Sequence, residues 1–165
     1  MKKIQIKYKE NTRRINRMYV EVSDVKKSYG EGGSYMQVLK GVSVGIEKGK
    51  MCVIQGTSGS GKSTFIRLLL KELEPTSGKI FINGQEINRL KRKQIPKLRR
   101  NIGVVFQDFR LLRDRNVYEN VAFAQRVIGT STKTIRSRVP QMLSMVGLAA
   151  KYKSLPRQLS GGEQQ

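Results

Sequence analysis

Residues 56–64 have the types and the spacing that a phosphate-binding loop needs. In order they are Gly56, Thr57, Ser58, Gly59, Ser60, Gly61, Lys62, Ser63 and Thr64. Glycines let the backbone wrap a phosphate chain with its N–H groups pointing inward. A helix that begins at the loop would add the positive end of its dipole. The run predicts a nucleotide site in which Lys62 reaches the β- and γ-phosphates and Ser63 ligates Mg²⁺.

The elements predicted around this loop support that interpretation. A short apolar strand, residues 51–55, precedes it, and a helix over residues 62–73 follows. The apolar positions of this helix are nearly all-round, which predicts burial against a sheet. A chance match in a glycine-rich loop would lack this context. A dinucleotide-binding fingerprint built on Gly59 and Gly61 fails, because Thr64 stands where its third glycine belongs.

Other strands and helices are predicted along the chain. Strands are expected at residues 18–22, 38–46, 79–82 and 102–106, the last of them buried. Residues 29–34 predict a loop and Asn83-Gly84 a tight turn. After Asn116 the pattern becomes helical. The apolar stripe of that part comprises Ile135, Val139, Met142 and Val146, with Gly147 as C-cap and Pro140 as a kink.

These elements predict an α/β fold with strands in front and helices behind. Residues 1–17 are polar and basic and are expected to form a flexible arm. Residues 18–115 would form a nucleotide-binding core, and residues 116–165 a helical subdomain. The chain has 165 residues, of which 38% are hydrophobic, which suits one globular domain with an apolar core.

The charge balance is strongly basic: 33 Lys and Arg against 12 Asp and Glu give a net charge of +21. Two clusters supply much of it, one in the N-terminal arm and one over residues 89–100. Such a field attracts polyanions such as ATP, anionic lipid headgroups or nucleic acid. A solvated basic face without a dedicated partner is the plainer alternative.

The cysteine and histidine content and the hydropathy of the sequence exclude several kinds of site and of segment. The single cysteine, Cys52, is expected to be a buried core residue, and it has no second cysteine for an internal disulfide. The sequence contains no histidine, so a histidine base or metal ligand is excluded. No apolar run has the length of a membrane span, and the first residues lack the apolar region of a secretory signal. The cytoplasm is therefore the expected compartment.

A second motif lies about 100 residues after the phosphate-binding loop. It is the run Leu159-Ser160-Gly161-Gly162-Glu163-Gln164-Gln165. Together with the loop it resembles the ATP-binding cassette (ABC) ATPases, whose signature motif has this form. Gln107 stands where that family has its Q-loop glutamine. Tyr29 stands where the family has an aromatic residue that stacks on adenine.

Longer segments look like the FtsE family of cell-division ATPases within this superfamily. They are residues 79–85, 95–100, 102–112, 117–124 and 159–165, of which 107–112 is the most specific. The likeness covers residues 18–165. It implies a P-loop NTPase fold of ABC type, with a mixed or parallel core sheet, an antiparallel β subdomain and a helical subdomain.

The resemblance also implies partners and roles. An FtsE-type protein is a peripheral ATPase on the cytoplasmic face of the membrane at the division septum. It pairs with the membrane protein FtsX and couples ATP cycles to peptidoglycan hydrolysis. Two such ATPases sandwich two ATP molecules, so Ser160, Gly161 and Gly162 would act in trans. Gln107 would join Ser63 at Mg²⁺, and the stretch after Gln107 would meet the membrane partner.

The sequence departs from the family pattern at its end. Family members continue with a strand ending in Asp-Glu, which holds Mg²⁺ and activates water, and then with a switch histidine. The 165 residues contain neither, so we expect a truncated chain that binds ATP and hydrolyses it slowly or not at all. A sheet without its later strands would also expose an apolar edge.

Two alternatives remain open at this point. The chain is an ATPase for another transporter, of the lipoprotein-release or amino-acid-import type, or it is a non-catalytic basic module for nucleic acid or anionic membrane. Nucleic acid is the weaker partner, because the 89–100 cluster has no interleaved aromatic residues and matches no nucleic-acid motif.

Overall fold

The computed structural model describes residues 5–6, 18–30 and 35–165. The chain forms two compact units, Met1–Lys97 and Leu98–Gln165. The predicted division at residue 115 follows the motifs and stays a prediction. Of the predicted N-terminal arm only Gln5–Ile6 is described, and these residues form the short strand β1.

An antiparallel sheet dominates the first unit. Its strands are β2 (Met18–Tyr29), β3 (Met36–Glu47), β5 (Ser77–Ile82) and β6 (Gln85–Glu86), in the order β3-β2-β5-β6. The strands predicted at residues 18–22, 38–46 and 79–82 are confirmed, and β2 runs seven residues further than predicted, from residue 23 to residue 29. Every pairing among the described strands is antiparallel, so the parallel pairing of the predicted core sheet is not among them.

Two local features set the register of this sheet. A bulge in β2 leaves Asp24 at φ 45°, and buried Val22 and Val25 therefore lie three residues apart instead of two. Between β5 and β6, Asn83 and Gly84 have φ of 48° and 74°, which confirms the predicted tight turn.

The strand predicted before the phosphate-binding loop is mostly absent. Only Ile54–Gln55 (β4) has strand pairing, with Gln5–Ile6 as its antiparallel partner. Met51 is 92% exposed and Val53 49%, and Cys52 is half-buried instead of buried. The prediction was wrong for residues 51–53, because an apolar run forms a strand only where a neighbouring strand accepts its hydrogen bonds.

Helix α1 (Lys62–Leu69) begins where predicted and ends four residues early. It buries Phe65 and Leu68, while Ile66 is 40% exposed, so its apolar surface is one-sided and not all-round. The helix ends because Lys71 adopts a left-handed φ of 53°. Its buried side chain donates to Glu74 and to the Asn88 carbonyl, 2.9 Å away. These bonds stabilise a conformation that lysine rarely adopts.

The second unit contains four helices and no described strand. They are α2 (Ile95–Arg100, which begins in the first unit), α3 (Val117–Val127), α4 (Thr132–Met145) and α5 (Gly161–Gln164), with 3₁₀ turns at Ala149–Lys151 and Pro156–Gln158. The buried strand predicted at residues 102–106 is wrong. Among the described residues no strand pairs with it, and Val105 is 79% exposed.

The core of the second unit lies between α3 and α4. Its buried members are Val117, Ala122, Ile135, Val139 and Leu143, with Leu159 packed against them. Leu143 takes the place predicted for Met142, and Val146 is 67% exposed, because it follows the last residue of α4. The helix continues through Pro140 to Met145. No helix in the described ranges is long and apolar enough to cross a membrane.

Candidate nucleotide-binding loop and signature segment

The phosphate loop (residues 56–61) is a tight turn that leads into α1. The Ser60 N–H donates to the Thr57 carbonyl at 3.2 Å, and the Phe65 N–H donates to the Gly61 carbonyl at 2.8 Å. The first helical bond therefore starts at Gly61, which has φ 94° and no side chain to cap the helix. Because the first N–H groups of an α-helix have no partner inside the helix, the start of α1 is suited to binding an anion.

The Lys62 side chain folds back over this loop. Its Nζ donates to the carbonyl oxygens of Gly56 at 2.7 Å and Thr57 at 2.9 Å. These two bonds hold the ammonium beside the loop, from where it reaches phosphate oxygens by exchanging neutral acceptors for charged ones. Such an exchange is favourable because hydrogen bonds between charged groups are the stronger kind.

The space around the two inner glycines differs. A Cβ on Gly61 would lie 2.8 Å from Cδ2 of Leu39 and 3.1 Å from Cγ1 of Val38, so the helix start packs directly on β3. A Cβ on Gly59 would meet nothing within 4 Å, although its φ is 74°. The loop thus has a packed side and an open side, which is the shape a phosphate cradle needs.

The hydroxyl residues at the end of the loop and in the first turn of α1 differ in their exposure. Ser63 is exposed and Thr64 half-buried. Ser60 is 4% exposed, and its Oγ has no hydrogen-bond partner among the described residues. An accessible hydroxyl directly after the lysine fits a magnesium–phosphate group, since Mg²⁺ takes few protein oxygens and keeps water and phosphate as other ligands.

Tyr29 ends β2 in the same unit as the loop. It pairs with Met36 of β3, its ring is 37% exposed, and Lys27 Nζ lies 5.1 Å from the ring centre. An exposed ring beside a cation is chemically suited to stacking on a base. Residues 31–34 of the predicted loop lie outside the described residues, and its first two positions are the end of β2 and Gly30, which has φ 96°.

Gln107 is exposed and belongs to the second unit. The residues after it form an unusual turn, in which Phe109 and Arg110 have φ of 53° and 50°. Arg110 stacks 3.8 Å from the Phe106 ring centre and pairs with Asp108 at 3.4 Å. Two adjacent left-handed residues without glycine are strained, and the two contacts of Arg110 accompany this turn.

Asn120 is a structural residue that the sequence analysis did not single out. Its Oδ1 accepts from the Leu112 N–H at 2.8 Å. Its Nδ2 donates to three carbonyls, those of Leu112 at 3.2 Å, Arg115 at 3.0 Å and Asn116 at 3.0 Å. One side chain thereby fixes the segment that follows Gln107 to helix α3. The local sequence pattern does not predict this role.

The signature segment begins a short helix. Ser160 caps α5: its Oγ accepts from the Glu163 N–H at 3.4 Å, and its own N–H donates to Glu163 Oε2 at 2.9 Å. Gly161 and Gly162 are exposed, and a Cβ on either would meet nothing within 4 Å. The Lys151 ammonium bonds Glu163 Oε1, and this bond lowers the pKa of the Glu163 carboxyl below its usual 4.5.

A groove of about 350 Å³ lies beside this segment, within the second unit. Gly162 and Gln165 line it together with Leu111 and Val121. The signature segment and the segment after Gln107 therefore border one apolar groove. Tyr29 and the phosphate loop belong to the first unit, and Gln107 and the signature segment to the second.

The chain is similar to known protein families, and these similarities test the resemblance to ABC ATPases. A family model described as "ABC transporter" matches residues 39–165. The chain belongs to this ABC family. Curated proteins named cell division ATP-binding protein FtsE are similar to it: 46% identical in Streptococcus pneumoniae, 47% in Bacillus subtilis and 48% in Mycobacterium tuberculosis. These matches cover 88–90% of this chain and 62–64% of the relatives, so the chain spans less than two thirds of their length.

Solved structures agree on the fold. A dimer of the ATP-binding cassette MJ0796, bound to ADP and Pi in a post-hydrolysis state, is 32% identical, with a TM-score of 0.75 over 88% of this chain and 65% of that one. The protein cbiO1 of Clostridium perfringens, from the transporter complex cbiONQ, is 29% identical, with a TM-score of 0.74 over 90% and 58%. The predicted ABC fold class is confirmed.

Proposed function

We propose that this chain is the ATP-binding part of an FtsE-type subunit in a cell-division ABC complex. The observation that carries the proposal is the phosphate loop, closed on β3 at Gly61 and open at Gly59, with the Lys62 ammonium beside it. The 46–48% identity to FtsE proteins supports the cell-division assignment.

The phosphate chain of ATP would bind along the open side of the loop. Lys62 then leaves the Gly56 and Thr57 carbonyls and bonds the β- and γ-phosphates, while Tyr29 stacks on the adenine. Ser63 and Gln107 would hold Mg²⁺, which neutralises phosphate charge. The other loop residues, Gly56, Thr57, Ser58, Gly59, Ser60 and Gly61, would contribute backbone and hydroxyl groups to the same cradle, as would Thr64 in the first turn of α1.

The signature segment would serve a second copy of the subunit. Gly161 and Gly162 are exposed at the start of α5 and leave room for a phosphate of the neighbouring subunit's ATP. The neighbour MJ0796 was solved as a dimer, which supports a homodimer here. Ser160 would then contact the γ-phosphate in trans.

An FtsX-like membrane protein is the proposed partner, at the cytoplasmic face of the division septum. ATP binding and hydrolysis in the whole protein would drive this partner, which regulates septal peptidoglycan hydrolysis. The segment after Gln107 supplies exposed Leu112, fixed to α3 by Asn120, as a contact. An anionic membrane surface is a further partner, and nucleic acid is not proposed.

The 165-residue polypeptide is proposed to bind ATP without hydrolysing it at a useful rate. Its phosphate loop supplies binding groups, but none of the candidate residues above positions an attacking water. General-base catalysis needs such a group within hydrogen-bond reach of the water.

A different ABC transporter is the alternative function, favoured by the likeness to cbiO1 of the cbiONQ complex. That identity is 29%, against 46–48% for the FtsE proteins. The FtsE-type assignment is therefore the better supported.

Co-purification with a membrane partner distinguishes the two functions. The chain is co-expressed with an FtsX-like protein or with an importer permease, and the detergent-solubilised complexes are isolated. We expect retention by the FtsX-like protein, reduced at least about ten-fold by Leu112→Asp, because burying an unpaired carboxylate disfavours the contact. Met145→Asp, at an 86% exposed position on α4, is the matched control. Retention by the permease alone would contradict the assignment.

A further inference from the structure

A tight basic turn contains none of the residues assigned to the nucleotide site. The basic segment (residues 89–97) carries Arg89, Lys91, Arg92, Lys93 and Lys97. No Asp or Glu occurs in the sequence between Glu86 and Asp108. Positive charge is therefore concentrated here without neutralising residues in the same stretch, and the field reaches about 8–10 Å at physiological salt.

A hydrogen-bonded turn of the backbone holds Lys91, Arg92 and Lys93 next to one another. Residues Arg92–Gln94 form a 3₁₀ turn that is closed twice: the Gln94 N–H donates to the Lys91 carbonyl at 2.8 Å, and the Lys91 N–H donates to Gln94 Oε1 at 2.8 Å. Lys91, Arg92 and Lys93 are all exposed. A closed turn holds its backbone in place, so little backbone order is lost when the side chains bind.

Few acidic groups compete for these side chains. Glu86 pairs with Arg89 at 3.1 Å. In the part of the chain that the structure describes, no ion pair joins a carboxylate to Lys91, Arg92 or Lys93. Nearby Ile95 is half-buried and Leu98 buried, so the apolar side chains of this stretch are turned inward while the cations remain in water.

We propose that the Lys91–Lys93 turn binds the anionic headgroups of a lipid bilayer. This deepens the proposed function, because it rests on the subunit working at a membrane surface. Each cation near an anionic surface adds to the attraction, and three adjacent cations suit a surface of closely spaced phosphates. Nucleic acid is less favoured, because residues 89–101 contain no aromatic side chain to stack on bases.

Vesicle flotation tests this surface. The 165-residue chain is mixed with vesicles of phosphatidylcholine alone or with about one third phosphatidylglycerol, without nucleotide. The test variant is Lys91→Gln/Arg92→Gln/Lys93→Gln. The control variant is Lys133→Gln/Arg136→Gln/Arg138→Gln, which removes three exposed cations from α4 and gives the same net charge. Residues 1–17 are unchanged in both, so their contribution cancels.

We expect wild-type and control chains to bind the anionic vesicles and the test variant to bind at least about ten-fold more weakly. Binding should fall as salt rises and be absent on pure phosphatidylcholine. Equal weakening of both variants, or no binding by the wild type, would overturn the proposal. So would displacement by millimolar inorganic phosphate, which indicates a free-anion site, or loss of duplex-DNA binding in the test variant with vesicle binding intact.

Lys62→Ala separates this proposal from the nucleotide site. It should bind the anionic vesicles like the wild type while losing Mg-ATP. If Lys62→Ala also lost the vesicles, the turn would not be the lipid contact. If the wild type bound vesicles but no ATP, the proposed nucleotide function would fail and the lipid surface would stand.

Discussion

At the scale of single residues, the phosphate loop depends on two glycines for different reasons. Gly61 has φ 94°, and a Cβ there would collide with Leu39 and Val38, whereas Gly59 has φ 74° and open space beside it. At both positions a side chain would strain the left-handed backbone. Only at Gly61 would a side chain also collide with neighbouring residues, so the cost of backbone strain and the cost of the collision can be measured separately.

Gly61→Ala should destabilise the chain more than Gly59→Ala. Strain alone predicts a loss of about 1–2 kcal/mol in the free energy of unfolding for Gly59→Ala. Contact with Leu39 raises this to about 2–4 kcal/mol for Gly61→Ala. Urea unfolding followed by circular dichroism measures both. Equal losses would mean that the start of α1 does not pack on β3 as described.

At the scale of elements, single polar side chains hold segments whose apolar pattern is weak. Lys71 ends α1 by bonding Glu74 and the Asn88 carbonyl. Asn120 joins the Leu112–Asn116 segment to α3 through four hydrogen bonds. The spacing of apolar residues predicts helices and strands but not which polar side chain bonds which backbone group, so neither role could be predicted.

Asn120→Asp should loosen the segment that follows Gln107. The aspartate keeps an acceptor for the Leu112 N–H but turns a carboxylate oxygen toward three carbonyls, which costs about 1–3 kcal/mol. We expect faster hydrogen exchange at the Leu112 amide.

Asn116→Asp is the control for that experiment, because aspartate is an equally good N-cap for α3. It should leave Leu112 protection unchanged. Unchanged protection in Asn120→Asp as well would show that the segment is held by other contacts.

At the scale of the whole molecule, the features predicted correctly are those that depend on residues close together in the sequence. The phosphate loop, the start of α1, the three long strands and the Asn83-Gly84 turn follow from residue type and spacing. Predictions that needed a distant partner were wrong: residues 51–53 and 102–106 are apolar, but no described strand pairs with them. The roles of Tyr29, Gln107 and Ser160 came from motif resemblance and stay predictions, since the two units are each described by themselves.

The central claim is that Lys62 and its loop bind Mg-ATP. Titration calorimetry of Mg-ATP into the 165-residue chain, with phosphate release followed in the same samples, tests it most directly. Lys62→Ala should abolish binding, and Lys50→Ala, at an exposed lysine of the same unit, should not. We predict binding by the wild type with little phosphate release. Equal binding by Lys62→Ala, or rapid phosphate release by the wild type, would contradict this account.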